Sequence, residues 1–258
     1  LPQRLLSAPN SFDINILLAH GQDFYGSTTL NALDAAREGV GEGGLIATLA
    51  EFAQARTKAP KGHRFWSKWY DGLSELDIGT SPSGNPVAVL AHLGILSVSG
   101  RLRQAYNDSW VNGAAPYTKQ EFNQLLNGKL PDDSDIDVVQ FSEFLRNGSK
   151  NLPRRYAVVM DLKEAQKFPS GFQETEKFYD NPVFISGCGG KEELINYLKR
   201  VVEVKGKNES YCTKHLITTG YEKPHGRVLF LNNNNHGLNG NNNLNNNGRF
   251  VGIVRLTW

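Results

Sequence analysis

The sequence predicts an α+β fold, because segments with helical periodicity occur together with short apolar segments typical of strands. Alanine and leucine recur at positions i, i+3 and i+4 within residues 30–40 and 45–56, which indicates helices. Residues 155–162 and 226–231 are apolar and short, as expected of inner strands. A chain of 258 residues is also long enough to bury a sizeable core.

An aromatic cluster follows the first two predicted helices. Phe65, Trp66, Trp69 and Tyr70 are spaced so that a helix would gather their rings on one broad face. Packing in the core is the favoured interpretation of these rings, and a platform for a ligand is the alternative.

The later elements are predicted from local signals. Thr118 followed three residues later by Glu121 is a capping box, which predicts the start of a helix. Residues 191–202 have the apolar spacing of an amphipathic helix. Residues 182–186 and 249–256 are predicted as further strands.

Composition narrows the classes of function. The net charge is +2 with both signs interspersed, so the sequence has no basic stripe for nucleic acid and no polybasic cluster for an anionic membrane. No run of about 18 apolar residues occurs, which argues against a membrane-spanning helix. Cys188 and Cys212 are too few for a disulfide scaffold or for a zinc site without histidine ligands. We therefore expect no nucleic acid partner, no membrane insertion, no metal and no cofactor.

One stretch of turn-forming residues suggests a domain boundary. Residues 80–86 read Thr-Ser-Pro-Ser-Gly-Asn-Pro, in which every residue favours a turn. We therefore predict an N-terminal helical accessory region at residues 1–85 and a ligand-binding domain at residues 86–258.

Residues 232–247, which we call the asparagine-rich segment, are unusual. Asparagine occupies 11 of these 16 positions, against 13 in the preceding 231 residues. A disordered polar linker is the usual interpretation of such a tract. Strands are predicted on both sides, however, and Leu238 and Leu244 recur beside glycines, which favours a compact and ordered loop.

The genetic code suggests why asparagine is so frequent in this segment. Its codons are AA followed by a pyrimidine, and every stop codon ends in a purine. Replacement of those adenines therefore never terminates the chain, so such codons suit a surface that is diversified by targeted mutation of adenines.

The C-terminal part of the chain resembles the variable proteins of diversity-generating retroelements, of the archaeal or archaeal-virus type. The resemblance is carried by residues 226–231, the asparagine-rich segment and residues 248–252, and it extends over about residues 86–258. In that family an error-prone reverse transcriptase copies a template repeat, mutates it at adenines and overwrites the 3′ end of the variable-protein gene. Bacterial members often end with Ile-Gly-Phe-Arg, whereas residues 248–252 read Gly-Arg-Phe-Val-Gly. The resemblance implies that the strand at 155–162 pairs with the terminal strand at 249–256.

The resemblance further implies a C-type lectin-like fold with a variable region at about residues 228–250. Function would be recognition of a protein or cell-surface ligand rather than catalysis, and a virion or a cell surface suits such a receptor. Leu238, Leu244 and Phe250 would support the binding surface from beneath. The implied ligand-binding residues are the asparagines of the segment: Asn232, Asn233, Asn234, Asn235, Asn239, Asn241, Asn242, Asn243, Asn245, Asn246 and Asn247.

Two alternatives stay open at the level of sequence. Cys188 lies just before the predicted helix at Lys191, whose dipole would lower the pKa of its thiol, so a cysteine-dependent enzyme with His215 or His225 as base is conceivable chemically. A carbohydrate-binding module is the other, and it would be calcium-independent because the Glu-Pro-Asn, Gln-Pro-Asp and Trp-Asn-Asp motifs of calcium-dependent lectins are absent. The asparagines alone supply none of the aromatic or arginine anchors that dominate binding energy.

Overall fold

The computed structural model describes residues 12–108, 113–168, 170–213, 221–240 and 244–254. The helices span Ile14–His20 (α1), Thr29–Val40 (α2), Leu49–Lys58 (α3), Arg64–Ser67 (α4), Arg101–Ala105 (α5), Lys119–Leu126 (α6), Phe141–Asn147 (α7), Leu162–Gln166 (α8), Pro182–Cys188 (α9) and Lys191–Lys205 (α10). The strands span Gln22–Gly26 (β1), Leu45–Ile46 (β2), Tyr70–Thr80 (β3), Pro86–His92 (β4), Ala115–Pro116 (β5), Asp137–Gln140 (β6), Tyr156–Asp161 (β7), Gly171–Gln173 (β8), Ser210–Cys212 (β9), His225–Leu231 (β10), Leu238–Asn239 (β11) and Gly248–Ile253 (β12). None of these described helices has the length and apolarity of a membrane span.

Within the described residues the strands form two sheets. The larger has the order β6-β7-β4-β3-β10-β11-β9-β8, with β5 also paired to β10, and the smaller has the order β1-β12-β2. Strand β10 runs antiparallel to β3, with His225 opposite Ile78 and Leu231 opposite Tyr70. The end of β10, where the asparagine-rich segment begins, therefore lies in the middle of the larger sheet.

Both faces of the larger sheet are buried, because successive side chains of a strand point to opposite faces. In β4, Ala88 and Leu90 join one core cluster, and Val87 and Val89 join another. Helices α3, α9 and α10 contribute to the first cluster, and α2 and α6 to the second. The sheet is therefore a rigid central layer on which a surface loop can be positioned.

Several predictions from sequence are confirmed. Helix α6 begins after Thr118, whose Oγ1 accepts a hydrogen bond from the Glu121 N–H at 3.1 Å, while the Glu121 carboxylate accepts one from the Thr118 N–H at 2.8 Å. Helix α10 begins at Lys191 and extends to Lys205. The strand predicted at residues 226–231 is part of β10.

The strand predicted at residues 182–186 is wrong, since this segment forms helix α9. Asn181 caps the helix by accepting a hydrogen bond from the Phe184 N–H at 3.0 Å, and Pro182 occupies its first turn, where proline is favoured. Every residue of α9 is buried. The helix therefore has no polar face, and the periodicity that identifies most helices is missing.

The strand pairing implied by the family resemblance is also wrong. Strand β7 pairs with β4 and β6, whereas β12 pairs with β1 and β2. Both edges of β12 are thereby occupied by strands from the first 46 residues, which the sequence did not identify as strands. Strand β12 therefore has no free edge at which β7 could pair.

The boundary predicted at residue 85 falls inside a β-hairpin. Strands β3 and β4 pair antiparallel across residues 80–86, with Thr80 opposite Pro86 and Leu76 opposite Leu90. Strand β1 pairs with β12, so the two ends of the described chain share one sheet. The turn chemistry of residues 80–86 closes this hairpin, and the described part of residues 1–85 shares its sheets and core with the rest of the chain.

A candidate ligand-binding surface

The asparagine-rich segment connects the two sheets. It leaves β10 at Leu231, contributes β11 and enters β12 at Gly248. Strand β11 pairs antiparallel with the end of β10 and lies parallel to β9, with Leu238 opposite Cys212. The Asn232 N–H donates to the carbonyl of Gly237 at 3.1 Å, which closes the loop between β10 and β11.

Asparagine side chains shape this loop by bonding their own main chain. The Asn232 side-chain oxygen accepts from the Asn234 N–H at 2.8 Å, and the Asn235 side-chain oxygen accepts from the Gly237 N–H at 2.9 Å. A Cβ at Gly237 would lie 2.0 Å from the carbonyl oxygen of Tyr211, so only glycine fits this close approach to β9.

The start of the segment is held by a buried arginine from α3. The Arg56 guanidinium donates to the carbonyl of Asn232 at 2.8 Å and to that of Leu231 at 3.3 Å. It also donates to the carbonyls of Phe65 at 2.9 Å and Lys68 at 2.7 Å. One side chain therefore ties α3, the residues around α4 and the segment together through main-chain oxygens.

Further hydrogen bonds involve the main chain of the segment or of Arg249, two residues beyond its end. From donor to acceptor they are Tyr197 hydroxyl to His236 carbonyl (2.6 Å), Thr213 N–H to Leu238 carbonyl (3.1 Å), Thr29 N–H to Leu244 carbonyl (3.3 Å) and Arg249 N–H to Asp71 carboxylate (2.8 Å). Anchors of this kind do not depend on which side chains the segment carries.

The apolar residues of the region lie beneath the surface. Leu238, Leu244 and Phe250 are all buried. Leu238 belongs to the core cluster that contains α3, α9 and α10, whereas Leu244 and Phe250 belong to the cluster on the opposite face of the sheet. The segment is therefore attached to both halves of the core.

Above these anchors lies an open concavity of about 670 Å³. All of the residues around it are uncharged, and they come from the asparagine-rich segment and from four aromatic positions elsewhere in the chain. They are Asn232, Asn233, Asn234, Asn235, Asn239, Asn245, Asn246, Asn247, Trp69, Phe172, Tyr211 and Phe230. Amides and rings together suit recognition by hydrogen bonds and apolar contacts.

The asparagines differ in exposure. Asn234 and Asn245–Asn247 are exposed, whereas Asn232 and Asn233 are half-buried. The Asn233 side-chain amide donates to the carbonyl of Ser67 at 3.2 Å. Asn241, Asn242 and Asn243 lie outside the described residues.

Asn235 and Asn239 correct the expectation that every asparagine of the segment is displayed, because both are buried. The Asn239 side-chain oxygen accepts from the Thr213 hydroxyl at 3.0 Å, and its amide nitrogen donates to the carbonyl of Gly237 at 3.0 Å. Asn239 is held in the short strand β11, where its side chain satisfies polar groups of the fold. These two asparagines support the surface more than they display it.

Three of the four rings around the concavity, those of Phe172, Tyr211 and Phe230, are residues that sequence reasoning missed. Phe172 is 55% exposed and its ring centroid lies 5.0 Å from that of Tyr211. Trp69 packs against Phe230 with the centroids 6.2 Å apart. Trp69 belongs to the aromatic cluster for which core packing was favoured over a ligand platform, and it is half-buried whereas the other three members are buried. The surface therefore has aromatic anchors that the asparagines alone do not supply.

The structure disfavours the cysteine-dependent enzyme. Cys188 is the last residue of α9 and is buried, and burial raises the pKa of its thiol well above the usual range. The thiol is therefore protonated at neutral pH, which suppresses the thiolate that catalysis requires. His225 is buried too, with Nδ1 2.8 Å from the carbonyl of Lys223, and His215 lies outside the described residues.

Comparisons with known proteins identify the fold. No protein-family model matches the chain, and no curated protein matches it. A solved structure from Nanoarchaeota, described as the accommodation of massive sequence variation by the C-type lectin fold, matches with a TM-score of 0.71. The two sequences are 28% identical over 91% of this chain and 97% of that chain. This chain has a C-type lectin fold. The expected fold class is thereby confirmed, and the C-type lectin fold suggests a ligand-binding role.

Proposed function

We propose that this C-type lectin-fold protein recognises a ligand through the asparagine-lined concavity, and that its exposed asparagines are diversified by adenine-directed mutagenesis through a retroelement. The observation that carries the proposal is the main-chain attachment of the asparagine-rich segment. Arg56 and Tyr197 both donate to carbonyl oxygens, which every amino acid has.

Substitution of the exposed asparagines leaves these attachments in place. Asn245, Asn246 and Asn247 lie between the buried Leu244 and Gly248, so the scaffold fixes both ends of this exposed run. A Cβ at Gly248 would lie 2.6 Å from the Cα of Thr29, so the chain approaches α2 too closely for any larger residue there. Variation and stability are thus separated, as in the loops of an antibody.

The Nanoarchaeota structure supports the same use of the fold, because massive sequence variation is what that C-type lectin fold is described as accommodating. The ligand we propose is a protein or another cell-surface molecule. The amides would supply hydrogen bonds, and the exposed rings near them would supply buried area.

A display library tests the binding role. Asn233, Asn234, Asn245, Asn246 and Asn247 would be randomised while the glycines, Leu238 and Leu244 stay fixed. We expect the library to yield binders to unrelated protein targets, with aromatic residues and arginine enriched at the randomised positions, because rigid rings and directional hydrogen bonds dominate binding energy. A library whose members fold but bind none of the targets would contradict the proposal.

The neighbouring DNA tests the diversification mechanism separately. We expect a reverse transcriptase gene and a near-copy of the 3′ end of this gene that differs from it only at adenines. If the complete locus carries neither, the retroelement part of the proposal is wrong, whatever the library shows.

A calcium-independent carbohydrate ligand is a second candidate, and the exposed ring of Phe172, packed against half-buried Tyr211 beside the amides, favours it. Aromatic rings stack on sugars, and amides bond their hydroxyls. Glycan-array binding by the present sequence that persists in a chelator and is lost in Phe172→Ala would support it. Absence of any glycan binding would exclude it for this variant.

A further inference from the structure

A basic cluster adjoins the concavity. We use this name for Arg64, Lys68 and Arg249, together with Asp23, the carboxylate they share. Arg64 forms an ion pair with Asp23, the Lys68 Nζ lies 2.9 Å from its Oδ2, and an Arg249 guanidinium nitrogen lies 3.9 Å from the same oxygen. In the described parts of the chain these three cations form ion pairs with no other carboxylate. The cluster therefore carries uncompensated positive charge.

The cations remain accessible to a ligand. The side chains of Arg64, Lys68 and Arg249 are 34%, 42% and 20% exposed. Desolvation lowers the pKa of Lys68, and the nearby charges of Arg249 and Arg64 lower it further. Each cation thus repels its neighbours, so an added negative charge would relieve that repulsion.

A second carboxyl group lies below the cluster but offsets it only in part. Asp71 accepts a hydrogen bond from the main-chain N–H of Arg249, and its side chain is buried. Burial raises the pKa of Asp71 to about 7, so the group is only partly charged at neutral pH.

Aromatic rings fix the position of Arg249. Its guanidinium carbon lies 5.2 Å from the ring centroid of Tyr25, 5.7 Å from that of Trp69 and 6.0 Å from that of Tyr70. Contacts of this kind hold a guanidinium in one place and leave its planar donors able to pair with a carboxylate. Less side-chain entropy is then lost when a ligand binds.

The basic cluster and the concavity are continuous. Trp69 lines the concavity and also contacts Arg249. Asn233 bonds the carbonyl of Ser67, the residue before Lys68. Arg249 itself follows the exposed run Asn245–Asn247 after a single glycine. A ligand seated on the asparagines would therefore meet the cluster at its edge.

We propose that the basic cluster is a fixed anchor for a carboxylate of an acidic protein ligand, placed beside the variable surface. The inference rests on the proposed binding role of the concavity. Cations that follow a nucleic acid backbone form an extended stripe. This group is a single point instead, which matches one or two acidic side chains. A constant charged contact would orient ligands while the asparagine positions determine which ligand is selected.

Binding of a fluorescent ten-residue poly-L-glutamate at low salt tests the proposal by anisotropy. We expect Arg249→Gln and Lys68→Gln each to weaken binding by about threefold to tenfold, the effect of one partly screened charge. Asp23→Asn should tighten binding by a similar factor, because it removes the competing carboxylate. The matched control is Arg103→Gln, which removes an exposed arginine paired with Asp34 in another part of the fold and should leave binding unchanged.

Several outcomes would overturn the proposal. Equal losses in Arg103→Gln and Arg249→Gln would show that only net charge matters. No tightening in a folded Asp23→Asn would show that the cluster is a structural ion network. If Asp23→Asn does not fold, Lys68→Gln decides, since unchanged binding there contradicts the anchor. If a ten-nucleotide oligothymidine binds more tightly than the glutamate probe, the ligand of the cluster is a nucleic acid instead. Glutamate binding uses none of the randomised asparagines, so failure here and failure of the display library are distinguishable.

Discussion

The two described parts of the asparagine-rich segment each combine asparagines with one leucine, yet their structures differ. The front part, residues 232–240, folds back on β10, pairs with β9 and accepts hydrogen bonds from α3 and α10. The rear part, residues 244–247, has one buried leucine followed by three exposed asparagines. Asparagine is buried at two positions of the front part and at none of the described positions of the rear part.

This difference shows that residue type does not determine the role of an asparagine here. Where its amide completes a hydrogen bond that the fold needs, as at Asn239, the side chain is structural. Where neighbouring buried residues already hold the loop in place, as at Asn245–Asn247, the asparagine side chain is available for a ligand.

The largest effect is expected at the arginine that holds the front part. Arg56→Met should lower the free energy of unfolding by about 3 to 5 kcal/mol, because the carbonyl oxygens of residues 65, 68, 231 and 232 lose their donor. Urea unfolding measures this, with the exposed Arg103→Met as control. A loss no greater than in the control would show that the clamp does not stabilise the segment.

Truncation of the buried side chains beneath the rear part comes next. Leu244→Ala and Phe250→Ala should each cost about 2 to 5 kcal/mol, the range for large apolar residues removed from a core. Asn246→Ala is the comparison within the same loop. If Leu244→Ala is as stable as Asn246→Ala, the rear part is not anchored through its leucine.

The two classes of asparagine should differ by less, but measurably. Asn239→Ala should cost about 1 to 3 kcal/mol because the Thr213 hydroxyl and the Gly237 carbonyl lose a partner in a buried place, whereas Asn246→Ala should stay within about 0.5 kcal/mol of the unmodified protein. Melting temperatures of the two variants provide the test. Equal shifts would remove the distinction between supporting and displayed asparagines.

The smallest effect concerns acid stability of the front part. Burial, with the charges of Arg56 and Lys205, lowers the pKa of His236 to about 4. A depressed pKa in the folded state means that this contribution to stability is present above about pH 6.5 and is lost as the pH falls towards 4.

The variant His236→Asn tests this contribution, because asparagine tolerates the positive φ of 48° at this position. Between pH 6.5 and 4.5 the unmodified protein should lose about 1 to 2 kcal/mol more than the variant. Parallel losses in the two proteins would show that His236 does not titrate with unfolding.

Much of the framework was predictable from sequence, because it depends on local signals. The capping box at Thr118 and the amphipathic pattern of α10 both act within one helix, so a single sequence contains them. Helix α9 was missed because it is buried on every side and so carries no polar stripe. The pairing of β12 was missed because its partners are short strands from the other end of the chain, and nothing local encodes that contact.

The candidate site was predictable only in part, because some of its features are local in the sequence and others depend on contacts between distant segments. The asparagine-rich segment is visible as composition, and its leucines marked the buried positions. The rings of Phe172, Tyr211 and Phe230 reach the concavity only through sheet topology, which brings β8, β9 and β10 beside the segment. The burial of Asn239 likewise depends on its pairing with β10, which a repeated residue type cannot reveal.

The central claim is that the scaffold holds the main chain of the segment while the exposed asparagine side chains are free to vary. Two libraries of equal size test it directly, one randomised at Asn245, Asn246 and Asn247 and the other at Asn235, Leu238 and Asn239. The measurement is the fraction of members that resist proteolysis in the folded state. We expect most members of the first library and few of the second to resist. Equal fractions in the two libraries, or a first library that is mostly cleaved, would contradict it.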